Sequence, residues 1–273
     1  MTENLAWTPA EIDIAVPNVA RVYDFLLGGA HNFESDRTLA DKIEQSMPGV
    51  RDVVRLNRSF LRRAVLFMVE SGIRQFLDIG SGIPTVGNVH EVAQQADPEC
   101  RVVYVDKEPV AVRHSGALLA GNDRAMAVEA DVCSPGEVLG DPAVLSMLDF
   151  DQPVGLLNLL LWHFIPDEAD PPGLLAGYRN ALAPGSYLAI THTTYDSEPD
   201  ELRGAVDEVR RRSKQQAFPR TYDEITALFD GYELVEPGVV GCAAWRPGGP
   251  GDFSEHPSSN ARLYAGVGRK PQP

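Results

Sequence analysis

Phe76-Leu77-Asp78-Ile79-Gly80-Ser81-Gly82-Ile83-Pro84 is the stretch on which the fold turns. A short apolar run, Gln75–Ile79, reads as a buried strand, and two glycines one residue apart follow it. Glycines at a strand's carboxyl end let the backbone turn tightly and approach a ligand closely. In an open α/β sheet that end is where ligands bind. The segment departs from the dinucleotide fingerprint at Pro84, which stands in place of the third glycine. Proline is tolerated in a helix's first turn, but it removes one N–H that would hold a pyrophosphate. That favours a ligand without phosphate.

Downstream the pattern alternates. Strands are predicted at Arg101–Val105, Ala125–Ala130, Val154–Trp162 and Ser186–Thr191, with helices at Thr85–Gln95, Val110–Ala120 and Gly173–Ala183. The nearly continuous apolar run Val154–Trp162 suits a strand covered on both faces. This rhythm implies an α/β fold with a mostly parallel sheet. Pro199–Gln216 interrupts it with a charged helical segment expected to overhang the side of the sheet where a substrate enters. A short helix near Tyr222–Phe229 and strands near Glu233–Val239 and Leu263–Val267 follow, suiting a sheet edge closed by an antiparallel hairpin. Upstream, residues 1–16 read as a loose arm, then helices at Pro17–Leu27, Asp36–Met47 and Val50–Ser71. The chain divides into a helical extension or cap, 1–72, and a core, 73–273, with 199–217 as a helical insertion, and its length suits one compact unit.

The formal charge of the 273 residues is −15, from 24 basic and 39 acidic side chains. Such a surface repels phosphate backbones, so nucleic acid is disfavoured as a partner, as is an anionic membrane. Cys100, Cys133 and Cys242 are far apart and form no Cys-x-x-Cys pair, so neither a metal site nor a disulfide framework is expected. Free thiols, no signal pattern and no apolar run of spanning length point to a cytoplasmic protein.

Three acidic residues fall at successive strand ends: Asp78, Asp106 and Asp131. Asp106 can accept both hydroxyls of a ribose, or simply cap the next helix; Lys107 follows it. Asp131 can accept an adenine amino group with Val132 packed on the ring, or cap the turn before Ser134-Pro135. Asn158 interrupts the fourth strand and is expected to be buried and hydrogen-bonded. His163, after that strand, is a candidate cofactor contact or general base, or a structural histidine.

The blocks Pro17–Gly29 with Asn32-Phe33, Asn57–Val65, Phe76–Thr85, Asn88–Gln94, His163–Asp167, Val235–Val240 and Trp245–Pro247 resemble those of an S-adenosyl methyltransferase family first catalogued as a domain of unknown function. The resemblance runs from about residue 17 to 270. It implies a Rossmann-like class I methyltransferase: a seven-stranded sheet with an antiparallel last strand and a helical N-terminal extension over the cleft. It implies S-adenosyl-L-methionine as cofactor and S-adenosyl-L-homocysteine as product, which the strand-end residues Asp78, Gly80, Ser81, Gly82, Asp106, Lys107, Asp131, Val132, Asn158 and His163, together with Asn32, are expected to bind. It names no acceptor. The block Tyr23–Phe33, with His31 and Asn32, is expected to lid the pocket, and Asn57 and Arg58 to reach the methionine carboxylate; the arginine stripe of that helix could equally be a solvated face. His31, His163 and His192 are the candidate bases. The expected activity is methyl transfer to a small molecule. A non-catalytic S-adenosylmethionine-binding protein and a nicotinamide-dependent oxidoreductase are the competing readings.

Overall fold

The computed structural model describes residues 13–84, 87–197, 199–249, 252–254, 256 and 258–272. Most of the arm expected over 1–16 lies outside the described residues. Helix α3 (Val50–Glu70) joins the two parts of the molecule. Its apolar residues recur every three or four positions at Val53, Leu56, Phe60, Ala64 and Met68, and so make one stripe. That stripe packs on the sheet against Phe76, Leu157, Ala189 and Val267. Val50 and Val54, at the helix start, instead join an apolar cluster with α1 (Val19–Leu26), α2 (Glu34–Ser46) and α9 (Pro199–Arg212). Leu202, Ala205 and Val209 of α9 share this cluster with Leu39, Ala40 and Ile43 of α2. The charged segment after the fifth strand therefore packs into the cap beside α2. Helix α1 starts at Asn18, whose side chain accepts the Ala20 and Arg21 N–H groups. A buried Arg21–Asp36 ion pair, 2.7 Å, fastens it to α2.

Five parallel strands, β1 (Gln75–Ile79), β2 (Arg101–Asp106), β3 (Ala125–Glu129), β4 (Gly155–Leu159) and β5 (Tyr187–Thr193), lie in the order β3-β2-β1-β4-β5. Helices α4 (Val89–Ala96), α5 (Pro109–Leu118), α6 (Pro135–Gly140), α7 (Pro142–Met147), α8 (Pro171–Ala181) and α10 (Tyr222–Ala227) connect or cover them. The order reverses between β1 and β4, which opens a crevice at their carboxyl ends. The second face of the sheet buries Leu77, Val103, Leu156 and Leu188 with Trp162 and Tyr178.

The late strands differ from expectation. β8 (Leu263–Arg269) is antiparallel, as the resemblance implies, but it is inserted beside β5 instead of closing the edge as a hairpin. The strand expected at Glu233–Val239 is two pieces, β6 (Glu233–Leu234) and β7 (Val240–Gly241), both paired to β8. The Pro237-Gly238 turn, closed by the Gly238 N–H on the Val235 carbonyl, separates them. The sheet thus has eight strands among the described residues, not seven. β4 ends at Leu159 and not at Trp162, because Leu160 turns out of the sheet.

Leu56 has no solvent exposure. Leu56→Ala is expected to lower unfolding stability by about 2–5 kcal/mol, read from the urea midpoint at unchanged slope.

Candidate functional site

Ile79 pairs with Val105 across β1 and β2. Beyond it, Gly80 and Ser81 both donate their N–H groups to the Val105 carbonyl, at 2.8 and 3.2 Å. Gly80 has φ +72°, and a Cβ there would meet the Leu161 side chain at 2.5 Å. Only glycine suits that backbone without strain. The Gly82 N–H donates to Asp106 Oδ2 at 2.7 Å, and Asp106 Oδ1 accepts the Glu108 N–H at 2.9 Å. One carboxylate thereby draws together the loops after β1 and β2. Its remaining lone pairs can still accept ligand hydroxyls. Pro84 plays a different part from the one expected. Helix α4 begins only at Val89, where Asn88 donates its N–H to Glu91 at 2.7 Å, so the proline takes no donor from the helix end.

These loops border a cleft of about 680 Å³. The cap contributes Tyr23, Asn57 and Arg58; the strand ends contribute Asp78, Gly80–Gly82, Asp106, Lys107 and Val132. Leu159–Leu161, His163–Pro166, Lys214–Gln216 and Phe218 also line it. The expected contacts Asp78, Gly80, Ser81, Gly82, Asp106, Lys107, Val132, His163, Asn57 and Arg58 are therefore brought together.

Asn32, Asp131, Asn158, His31 and His192 are not among the lining residues. Asn32 donates to Asp24 Oδ2 and to the Gly29 carbonyl, both at 2.9 Å, and accepts from Arg37. It folds its own turn instead of lidding the cleft, and of the block Tyr23–Phe33 only Tyr23 reaches the pocket. His31 sits edge-on against His114, 3.8 Å between ring centres. Asp131 accepts the Cys133 N–H at 2.9 Å, which is the capping role. Asn158 is fully buried; its Nδ2 donates to the Leu157 carbonyl, but its Oδ1 has no hydrogen-bond partner.

His192 is unsuited to the expected role of base. Its Nδ1 lies 2.7 Å from the Thr193 carbonyl and must carry the proton; its Nε2 then accepts from Arg220 at 3.0 Å. Burial chiefly holds it down at about 3, with Arg220 adding to the effect. His163 is also neutral, its pKa well below the usual histidine range through burial and the neighbouring His192 and Arg220. Its Nδ1 is buried without a hydrogen-bond partner. Arg220 secures this wall by donating to the Trp162 carbonyl at 2.8 Å and the Ile165 carbonyl at 2.9 Å.

The arginine stripe divides. Arg51 and Arg55 pair with Glu44 and Asp52, Arg62 is exposed, and Arg58 turns into the cleft, donating to the Gly87 carbonyl at 2.8 Å. Sequence reasoning missed Glu108, Leu160 and Leu161 as lining residues; nothing in their local pattern distinguishes them from loop filler. No trio of metal-ligating side chains is present among the described residues.

Burial pushes Asp78 up to about 7, with Arg58 opposing and Asp106 reinforcing the shift. Asp106 is raised too, chiefly by burial. A carboxyl raised in this way favours the folded state while protonated. That contribution is full below its ordinary value of 3.8 and is lost as pH rises through about 7. Asp78→Asn is therefore expected to melt higher than the parent at about pH 8, the gap closing toward about pH 5, by calorimetric scans of the protein alone.

The family described as "S-adenosyl methyltransferase" matches residues 5–271. A candidate methyltransferase from Thermobifida fusca YX is 40% identical over 98% of this chain and 100% of its own, with a TM-score of 0.91. A DUF574 family protein from Streptomyces avermitilis MA-4680 is 37% identical over 95% and 99%, with a TM-score of 0.90. An O-methyltransferase family protein from Burkholderia thailandensis, 11% identical over 82% and 58% with a TM-score of 0.54, shares the fold alone. No curated protein matches the chain. With its class I architecture and a family match over nearly its whole length, the chain belongs to the S-adenosyl methyltransferase family, whose cofactor is S-adenosylmethionine.

Proposed function

We propose that the protein transfers a methyl group from S-adenosylmethionine to a small-molecule acceptor held in the same cleft. The observation that carries this reading is one cavity of about 680 Å³ that is larger than the strand ends alone would line. The carboxyl ends of β1, β2 and β4 with the glycine loop line it, and so do residues of the 163–168 and 214–218 segments. Family membership sets aside the nicotinamide-dependent alternative.

The residues present fit the cofactor. The glycine loop permits close approach of a ligand backbone, Asp106 has lone pairs for ribose hydroxyls, and Ala130 with Val132 offers an apolar seat for a base. Arg58 suits the methionine carboxylate, and ionised Asp78 suits the ammonium group. When bound, S-adenosylmethionine supplies an electrophilic methyl group on a positively charged sulfur. The chain's own part is to align the acceptor and exclude water. Leu159–Leu161, Phe164 and Ile165 serve the exclusion. His163, neutral and facing the cleft, can accept a hydrogen bond from the acceptor's nucleophilic group without holding a charge at neutral pH. No helix among the described residues is long and apolar enough to cross a membrane. The three free cysteines suit the reducing cytoplasm, the proposed location.

Calorimetry with S-adenosylhomocysteine tests the cofactor end. Gly80→Ala is expected to bind roughly tenfold more weakly, because alanine pays for the positive φ. Affinity should rise between about pH 6 and pH 8 as Asp78 ionises toward the ammonium group, and Asp78→Asn should abolish the rise. Absence of binding by the parent protein refutes the reading.

Tritiated S-adenosylmethionine incubated with the protein and a cell extract is expected to label a small molecule. Binding without transfer to any component supports a non-catalytic role instead.

A further inference from the structure

Leu160 occupies φ +53°, a backbone conformation rare for leucine. Its N–H is held by Thr191, by the hydroxyl at 2.9 Å and the carbonyl at 3.1 Å. Because the Thr191 hydroxyl accepts there, its own proton goes to Asn57 Oδ1, at 2.7 Å. That contact orients the Asn57 amide, whose Nδ2 donates to the Tyr23 hydroxyl at 2.9 Å. Tyr23 in turn points its hydroxyl at the Val54 carbonyl, 3.4 Å away. Donors and acceptors all run in one direction, from the turn after β4 through β5 and α3 to α1. Thr191 and Asn57 are buried, and partly desolvated polar chains of this kind reinforce one another.

The relay has a mechanical outcome. The residue after Leu160 is Leu161, whose side chain lies against Gly80, so close that a Cβ would collide with it. The conformation of Leu160 thus decides where Leu161 rests on the glycine loop. Tyr23, Asn57 and Leu160 line the cleft, whereas Thr191 does not. Asn57, expected to hold the methionine carboxylate, spends its oxygen and one amide hydrogen on the relay.

We propose that Thr191 and Tyr23 are positioning residues: their hydrogen-bond relay through Asn57 holds the Leu160-Leu161 turn on the glycine loop in the form that receives the cofactor. This rests on the cleft being an S-adenosyl site. The relay ties the cap to the cofactor site by a route separate from Arg58. It also gives the strained leucine a purpose, as strain persists where surrounding contacts over-determine it.

The test measures S-adenosylhomocysteine affinity and melting temperature on the full chain. Thr191→Val, which keeps the shape and removes the hydroxyl, should bind about tenfold more weakly, and Thr191→Ser should return to within about twofold of the parent. Tyr23→Phe should weaken binding several-fold alone and add little to Thr191→Val, since both break one chain. Parental affinity in Thr191→Val with only a lower melting temperature overturns the proposal, as do additive effects of the two substitutions. Should Thr191→Val fail to fold, Tyr23→Phe decides, with parental affinity counting against the relay. No binding by the parent protein overturns the cofactor reading and the relay's role with it; normal parental binding with an unchanged Thr191→Val overturns the relay alone.

Discussion

Pairing β1 with β2 in parallel places two carboxylates, Asp78 and Asp106, at the ends of neighbouring strands in one water-poor cleft. Neither can be moved without breaking the sheet, and burial disfavours charge on both. The rest of the site answers this constraint. Backbone N–H groups of Gly82 and Glu108 stabilise Asp106, which fixes the glycine loop. Arg58 comes in from the cap to oppose the shift at Asp78. A cleft with desolvated carboxylates at one end is prepared for a cation, and a sulfonium compound with an ammonium group meets that electrostatic demand.

The cap follows from the same need to enclose the strand ends. Helix α3 carries it on one rigid element, with Val50 and Val54 in the cap cluster and Phe60 and Met68 in the core. Helix α9 joins through Leu202, Ala205 and Val209. After α9 the chain runs back along the cleft, where the Gln215 side chain accepts the Val19 N–H at 3.1 Å and the Phe218 N–H meets the His163 carbonyl. Two distant stretches of sequence thus share one wall of the cleft.

Local signals carried the strands, the glycine loop and α3, because burial periodicity and turn chemistry depend on near neighbours. The class of the fold and many of the residues that line the cleft were legible for that reason. What was not legible depends on partners far along the chain. His192 looks like a free imidazole until Arg220 is folded against it, and Asn57 looks like a ligand contact until Thr191 takes its oxygen. In sequence Asp131 and Asn32 pass for ligand contacts, because short polar side chains serve caps and ligands equally well. The split of β6 from β7 was signalled by Pro237-Gly238, but the position of β8 between β5 and β6 is a matter of topology that no local pattern encodes.

That position has a consequence for how the molecule assembles. β8 fills the slot against β5 with Leu263, Ala265 and Val267 buried, and both β6 and β7 can dock only on β8. Until synthesis has passed residue 269, β5 remains an unpaired edge, open to mispairing with another chain. Sheet completion is a late, long-range event with slow closure. A nascent chain stalled before that strand would present the exposed edge that chaperones are suited to shield.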